Sequence, residues 1–198
     1  MMRLVVITRE EFTAEEPETI LRLLEGGIER IHLRKPAATE PEMRRLIESL
    51  PATCYPHLSL HDHLPLAAEY GLGGVHLNGR NPIPPAEFRG VVSRSCHSLA
   101  ELEAAAPTTG YRFLSPIFDS ISKSGYRAAF SGEALCEAAA QGIIDTRTLA
   151  LGGVTPSRLP QVRAWGFGGA ALLGCIWRDT SAAGLRRTLA EIDKYKKE

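Results

Sequence analysis

The sequence predicts an α/β protein, a single compact (β/α)8 TIM barrel spanning residues 1–198. Short β-branched runs alternate with helical patterns throughout the chain and make eight strand–helix units, the number that closes such a barrel. Continuous apolar runs, such as LVVI at 4–7 and AALL at 170–173, are typical of parallel strands covered by helices. A doubly wound open sheet is the structural alternative, but its G-x-G-x-x-G fingerprint is missing after the first strand.

The predicted elements follow one another in a regular order. The first unit joins a strand at 3–8 to a helix at 17–27, which carries Ile20, Leu23 and Leu24 on one face. The remaining strands are predicted at 30–34, 57–61, 74–77, 91–96, 111–115, 148–152 and 170–173. The remaining helices are predicted at 40–50, 64–70, 98–106, 132–141, 156–165 and 182–196. Prolines at 81–85 leave room for a short helix at most, and Ser98 with Glu101 forms a capping box.

Composition excludes several classes of protein. The 23 Lys and Arg balance the 23 Asp and Glu, so the chain lacks the basic surplus that a nucleic-acid binder needs. No apolar run approaches the roughly 20 residues that span a bilayer, and the apolar stretch 4–7 is too short for a signal peptide. The four cysteines are widely spaced and include no C-x-x-C pair. We therefore expect reduced, buried thiols in a cytoplasmic protein that binds neither nucleic acid nor membrane.

Polar residues at the strand ends indicate an anion site, because the chemistry of a barrel lies at the C-terminal ends of its strands. Arg34 and Lys123 are cations on different loops that converge on one mouth, and such a pair suits a diphosphate. Hydroxyl groups accompany them at Ser95, Ser120 and Ser122. Glycines end the last two strands at Gly152–Gly153 and Gly174, where backbone N–H groups can approach a phosphate. Scattered surface charge and a tight turn are the alternatives.

Metal binding has two candidate sites in the sequence. Asp62 follows the third strand, where it can hold Mg²⁺ against a phosphate or cap the next helix. His61 and His63 invite a zinc interpretation, but no acidic third ligand is obvious, so zinc is not favoured.

The ordered motifs IHLRKP (31–36), LHDHLPLAAEYGLGGVHLN (60–78), SRSCHSLAE (93–101), SPIFDSISKSGY (115–126), LALGGVTP (149–156) and GGAALLGCI (168–176) resemble the thiamine-phosphate synthase family, which includes the thiazole tautomerases. The resemblance covers nearly the whole chain. It implies a transferase that joins hydroxymethylpyrimidine diphosphate to thiazole phosphate and releases diphosphate with the help of Mg²⁺. Small phosphorylated substrates are then the partners, and a dimer is compatible with the resemblance.

The resemblance also assigns residues to the two substrates. The family motif Q-x-R-E-K on strand two corresponds to His32, Arg34, Lys35 and Pro36, so Lys35 lies one position before the family lysine. The pyrimidine diphosphate is assigned to His32, Arg34, Lys35, His61, Ser95 and Lys123, with Arg34 and Lys123 catalytic. The thiazole phosphate is assigned to Ser120, Ser122, Gly153, Leu173 and Gly174. The Mg²⁺ ligands are assigned to Asp62 and Asn81, where an amide replaces the second family aspartate and predicts weak binding.

Three functions stay open at this point. A synthase is favoured by Arg34, Asp62 and the S-x-S-K sequence of 120–123. A tautomerase needs no metal, but the resemblance implies a histidine in the strand-six loop, where this chain has Ser115 and Pro116. The third possibility is a non-catalytic, regulatory binder of thiamine precursors.

Overall fold

A computed structural model describes residues 2–119 and 128–196 and contains the predicted closed barrel. Each strand pairs in parallel with the next along the chain, and the last strand pairs with the first through the register Leu4 to Ala170. The strands are β1 (Arg3–Ile7), β2 (Arg30–Leu33), β3 (Leu58–Leu60), β4 (Gly74–Leu77), β5 (Val91–Cys96), β6 (Tyr111–Leu114), β7 (Thr148–Ala150) and β8 (Gly169–Leu172). The prediction of a TIM barrel is confirmed, and the open-sheet alternative is wrong.

Helices cover the outside of the strands. They are α1 (Glu16–Glu25), α2 (Glu40–Glu48), α3 (Pro65–Glu69), α4 (Leu99–Ala105), α5 (Gly132–Ala140), α6 (Leu159–Ala164), α7 (Gly174–Trp177) and α8 (Ala182–Lys196). The proline-rich segment after β4 contains no helix, as expected. Three elements were not predicted: the 3₁₀ helices Ala52–His57 and Ala106–Thr108 and the short helix α7. The predicted helix at 156–165 divides into a 3₁₀ turn (Pro156–Arg158) and α6.

The alternation of side chains along each strand produces two apolar layers. The barrel interior contains Val5 and Ile7 of β1 together with Tyr111 and Phe113 of β6. Residues of the opposite parity, such as Leu4 and Val6, pack instead against the helices. This parity decides which polar side chains at the strand ends point into the mouth of the barrel.

Local sequence signals explain several element boundaries. The Ser98 hydroxyl accepts a hydrogen bond from the backbone N–H of Glu101, and the Glu101 carboxylate accepts one from the N–H of His97. The predicted capping box at the start of α4 is therefore confirmed.

Two of the four cysteines are buried, as predicted for all four. All four cysteines are free; Cys54 and Cys96 are buried as expected, whereas Cys136 is exposed and Cys175 is partly buried. Burial raises the pKa of the Cys96 thiol to about 11.

Among the described helices, none combines the length and the apolar character needed to cross a bilayer.

Candidate active site

A cavity of about 650 Å³ opens at the C-terminal mouth of the barrel. We call it the mouth cavity. Its lining includes the predicted site residues Arg34, His61, Ser95 and Leu173. The other residues around it are Ile7, Asn78, Gly79, Arg80, Pro82, Arg94, Cys96, His97, Glu101, Ala104, Ala105 and Leu151. The structure therefore brings together side chains that follow β2, β3, β4, β5 and β8.

Arg34 is held at the mouth by two neighbours from the β1 loop. Its backbone N–H donates to the Thr8 hydroxyl at 2.9 Å, and its Nη1 donates to Oε1 of Glu10 at 2.6 Å. The side chain remains 27% exposed. Arg34 therefore presents an oriented guanidinium to the cavity, as the sequence predicted.

Lys35 lies elsewhere. Its Nζ donates to both carboxylate oxygens of Glu16, at 2.7 and 2.8 Å, and to the carbonyl oxygens of Arg9 and Glu11. An ammonium has three hydrogens, so these acceptors already use all of them. Lys35 is fully buried and does not line the mouth cavity. The structure thus does not bring Lys35 to the predicted diphosphate site.

Strand parity is the signal that separates these two neighbours. In β2, Ile31 and Leu33 pack against the helices, while His32 points into the barrel beside Phe113. Continuing this alternation by two places puts Arg34 on the interior side and Lys35 on the helix side.

The floor of the cavity consists of uncharged aromatic side chains. His32 bonds to Tyr111 Oη through Nε2 at 2.6 Å and to His61 Nε2 through Nδ1 at 2.8 Å. Burial holds the pKa values of His32 and His61 well below the usual range and raises the pKa of Tyr111. The three groups are therefore neutral near pH 7. His32 does not line the mouth cavity and reaches it only through His61.

His76 supports the same floor from β4. Its two ring nitrogens bond to the hydroxyls of Ser93 and Ser95, both at 2.8 Å, and burial lowers its pKa to about 3. Ser95, predicted from the sequence, thus lines the cavity with a hydroxyl that His76 orients. Neither His76 nor Tyr111 was among the predicted site residues, although both have the interior parity of their strands.

The three interior histidines have their ring nitrogens close enough together to suggest a metal site. However, the rings of His61 and His76 stack, with centroids 4.1 Å apart and planes at 20°. A metal ion must lie in the plane of each imidazole that binds it, and stacked planes share no such point nearby. His63 is also separate from this cluster, because its Nε2 bonds to the carbonyl oxygen of Ala38.

Asp62 and Asn81, the predicted Mg²⁺ ligands, do come together, but their polar atoms are engaged with each other and with Arg80. Oδ1 of Asp62 accepts from Nη2 and Nε of Arg80 at 2.8 and 3.2 Å. Asn81 directs its amide nitrogen at the same oxygen, at 3.4 Å, and at the carbonyl oxygen of His61, at 2.9 Å. Asp62 does not cap α3, which has no side-chain cap.

This arrangement does not fit a Mg²⁺ ion held by the protein. Mg²⁺ prefers six oxygen ligands and keeps several water molecules among them. The remaining oxygen of Asp62, Oδ2, is buried and has no hydrogen-bond partner among the described residues. Asn81 directs its amide nitrogen, and not its amide oxygen, at the Asp62 carboxylate. One shielded carboxylate oxygen beside a guanidinium is a poor site for a divalent cation.

The predicted phosphate cradle is formed by the ends of β7 and β8. Gly153 has a φ of 64°, and a Cβ there would lie 2.4 Å from the backbone oxygen of Asp119. Its carbonyl oxygen accepts from Nη1 of Arg158 at 2.6 Å, which adds a cation that the sequence did not predict. Leu173 lines the mouth cavity, and Gly174 is the first residue of α7.

Ser120, Ser122 and Lys123 lie outside the described residues, so their predicted roles stay predictions. The segment that contains them begins after Asp119, whose Oδ1 accepts from the N–H of Ala128 at 2.8 Å.

Comparison with known proteins places this barrel in a family. The sequence profile described as thiamine monophosphate synthase matches residues 4–176. The thiamine-phosphate synthase of Chlorobium phaeobacteroides is 28% identical over an alignment of 201 positions that covers 96% of each chain. The crystal structure of thiamine phosphate pyrophosphorylase from Bacteroides thetaiotaomicron is 34% identical, with a TM-score of 0.87, and covers 99% of this chain and 98% of that one.

A closed (β/α)8 barrel with Arg34 and Arg80 at its C-terminal mouth is typical of enzymes that act on phosphorylated substrates. Within that class, the chain belongs to the thiamine monophosphate synthase family, as the sequence predicted. Its relatives are transferases of thiamine biosynthesis. A thiamine phosphate pyrophosphorylase from Pyrococcus furiosus, at 21% identity and a TM-score of 0.79, shares the fold.

Proposed function

We propose that this protein is a transferase that couples hydroxymethylpyrimidine diphosphate to thiazole phosphate and releases diphosphate. One observation carries the proposal: two guanidinium groups from different loops, Arg34 and Arg80, line one cavity together with the Ser95 hydroxyl. Guanidinium groups bind phosphate oxygens through paired N–H donors. The names of the relatives, thiamine-phosphate synthase and thiamine phosphate pyrophosphorylase, supply the substrate class.

The reaction requires the diphosphate to leave the exocyclic carbon of the pyrimidine, so negative charge develops on the departing oxygen. Arg34 stabilises that charge from the β2 loop, and Lys123 is proposed as a second cation from the β6 loop. The neutral histidine floor adds no positive charge beside the carbon that becomes electron-poor. The thiazole nitrogen, held next to this carbon, then forms the new bond.

The thiazole phosphate is proposed to bind at the other side of the mouth. Gly153, Leu173 and Gly174 lie at the ends of β7 and β8, where backbone N–H groups can surround a phosphate. Ser120 and Ser122 are proposed to complete this site. His32 acts as a positioning residue, because it contacts His61 and not the cavity.

Mg²⁺, when present, would supply a Lewis acid for the leaving diphosphate, as the family resemblance implies. The oxygens of Asp62 and Asn81 do not form a site for the ion, so the roles proposed for the side chains do not depend on it. We propose that the protein alone has only a weak affinity for Mg²⁺, because Asn81 carries an amide in place of a second carboxylate, and direct titration tests this. We further propose that the reaction runs in the cytoplasm, since the free thiols of the described chain suit a reducing compartment.

The test is to incubate the protein with both phosphorylated precursors, with and without Mg²⁺, and to measure thiamine phosphate and diphosphate. Both products are expected in equal amounts. Arg34→Ala should lower the rate at least tenfold, since it removes a cation from the leaving group. The matched control is Arg22→Ala, because among the residues that the structure describes the Arg22 side chain pairs only with the exposed Glu18. Absence of both products would refute the proposal and leave an isomerase of thiazole phosphate or a silent binder.

A second candidate function rests on His97. Its Nδ1 lies 3.2 Å from the carbonyl oxygen and 3.3 Å from the hydroxyl of Ser115, and its side chain lines the mouth cavity. A histidine from β5 thus reaches the strand-six position that the tautomerase resemblance requires. Isomerisation of thiazole phosphate by the wild type, lost in His97→Gln, would support this function.

A further inference from the structure

Arg80 and Asp62 form an ion pair at the edge of the mouth cavity. Both Nη2 and Nε of Arg80 donate to Oδ1 of Asp62, and the side chains are 50% and 10% exposed, respectively. Arg80 lines the mouth cavity and also a neighbouring groove that Asp62 and Asn81 share. The guanidinium thus lies between the carboxylate and the space where we place the diphosphate.

The loop after β4 fixes Arg80 in this position. The Asn78 side-chain oxygen accepts from the backbone N–H groups of Arg80 and Asn81, at 2.9 and 3.1 Å. The side-chain nitrogens of Asn78 and Asn81 both donate to the carbonyl oxygen of His61, at 3.1 and 2.9 Å. A turn anchored in this way to the end of β3 holds its central arginine without help from a ligand.

The guanidinium keeps donors for an anion. An arginine side chain has five N–H donors in a fixed fork. Asp62 takes two of them, and no other acceptor for Arg80 is found within the described ranges. Three N–H groups therefore remain for phosphate oxygens, which arginine binds in pairs.

The charges balance as they would around a metal. The family resemblance implies a divalent cation between two carboxylates. The two positive charges of the cation and the two negative charges of the carboxylates cancel. Here Asn81 is neutral, so one carboxylate, Asp62, faces one guanidinium, and the net charge is again zero. Asn81 in place of the second carboxylate removes one negative charge. Arg80 in place of a divalent cation removes one positive charge, so the balance is kept.

We propose that Arg80, oriented by Asp62, replaces the divalent cation of this site and binds the diphosphate group directly. This inference rests on the proposed function for the identity of the anion. It assigns Arg80 as a substrate-binding residue and makes Asp62 a positioning residue for Arg80. It also explains why the amide of Asn81 turns its nitrogen, and not its oxygen, to the carboxylate.

The test is calorimetric titration of the full chain with inorganic diphosphate, in EDTA and in excess Mg²⁺. The wild type should bind diphosphate in EDTA, and Mg²⁺ should not tighten binding. Arg80→Ala should weaken binding in EDTA at least tenfold, and Mg²⁺ should restore part of the affinity because Asp62 is then free to hold the ion. Arg80→Lys keeps the charge without the fork and should fall between the two. Arg89→Ala, an exposed arginine whose side chain bonds only to Ala86 within the described chain, is the matched control and should bind like the wild type.

Two results would overturn the inference: wild-type binding that requires Mg²⁺, or Arg80→Ala binding as tightly as the wild type in EDTA. Circular dichroism of each variant confirms that it is folded. The outcomes separate the two proposals, because binding of diphosphate does not require turnover. Metal-free binding without formation of thiamine phosphate would refute the proposed function alone, whereas product formation with Mg²⁺-dependent binding would refute this inference alone.

Discussion

Lys35 and Glu16 form an ion pair that is closed to solvent. The two side chains are 0% and 1% exposed, and Nζ lies 2.7 Å from Oε1. Burial lowers the pKa of Lys35 and raises that of Glu16, while the partner opposes both shifts. Lys35, the neighbour of Arg34, thus ties the β2 loop to α1.

Removing one member of this pair should destabilise the protein strongly. Lys35→Met leaves the Glu16 carboxylate buried without its partner, and we expect the free energy of unfolding to fall by about 3–5 kcal/mol in urea titrations. The double variant Lys35→Met with Glu16→Leu should recover most of that loss. The exposed pair is the control, and Arg22→Ala should cost about 0.5 kcal/mol. A fully stable Lys35→Met variant with impaired diphosphate binding would instead support the role predicted from the sequence.

Acid should destabilise the fold through its interior histidines. Burial depresses the pKa of His76 to about 3 and those of His32 and His61 well below their usual range. The unfolded chain therefore binds protons below pH 6.5 that the folded chain does not, and stability falls as the pH drops from about 6.5 towards 3. His76 contributes about 1.4 kcal/mol per pH unit in that window, and the lowered pKa values of His32 and His61 act in the same direction. Urea titrations at several pH values should give a shallower slope for His76→Gln, and an unchanged slope would contradict the prediction.

Two glycines with left-handed backbone test the crowding at the predicted phosphate cradle. Gly142 has a φ of 76°, and a Cβ at this position would have no other atom within 4 Å. Gly142→Ala should therefore lower the free energy of unfolding only by the backbone strain, about 1–2 kcal/mol. At Gly153 the new methyl group also meets the backbone of Asp119, and overpacking adds about 1–3 kcal/mol. Unfolding experiments on both variants should show this difference, and Gly153→Ala should also bind thiazole phosphate more weakly. Equal losses would mean that the loop simply moves aside.

Adding a carboxylate should improve a metal site that the amide of Asn81 and the guanidinium of Arg80 both disfavour. Asn81→Asp removes the amide nitrogen next to Asp62 and supplies a charged oxygen, which Mg²⁺ prefers. We expect the Mg²⁺ concentration for half-saturation in direct titrations to fall at least tenfold relative to the wild type. The double variant with Asp62→Asn should lose this gain. If Asn81→Asp leaves Mg²⁺ binding unchanged, the site lacks the geometry for the ion.

Lys123 should matter for rate and not for folding. A cation that acts on the leaving diphosphate stabilises the transition state, so Lys123→Ala should lower turnover at least tenfold. A lysine that acts only on the substrate adds little to folding, so the free energy of unfolding should change by about 0.5 kcal/mol or less. Steady-state kinetics and urea titration of the same preparation provide both values. A normal rate would exclude Lys123 from the reaction.

The barrel could be predicted because its signals are local and repeated. The apolar runs that became β1 and β8, and the capping pair Ser98 and Glu101, depend on neighbours close in the sequence. Strand parity also predicts the orientation of Arg34 and His61. Each directly follows a strand, β2 or β3, and continues the alternation with its helix-facing residues.

The pairing of charges could not be predicted in the same way. Glu16 is 19 positions from Lys35, and Arg80 is 18 positions from Asp62 in a loop without periodicity. Which cation meets which carboxylate depends on how the loops cross the mouth of the barrel. For the same reason, the sequence predicted that Asp62 and Asn81 lie near each other. It did not reveal that the amide nitrogen of Asn81 and the guanidinium of Arg80 would both donate to the Asp62 carboxylate.

The hydrogen-bonded series Tyr111–His32–His61 has a consequence for the floor of the cavity. A phenol can donate or accept, and a neutral imidazole has one nitrogen that donates and one that accepts. When Tyr111 donates to His32, His32 must donate to His61, and the outer nitrogen of His61, Nδ1, carries a hydrogen. When both bonds run in the opposite direction, Nδ1 presents a lone pair. The two tautomeric arrangements have the same net charge, so one set of uncharged side chains can offer a bound substrate either a donor or an acceptor.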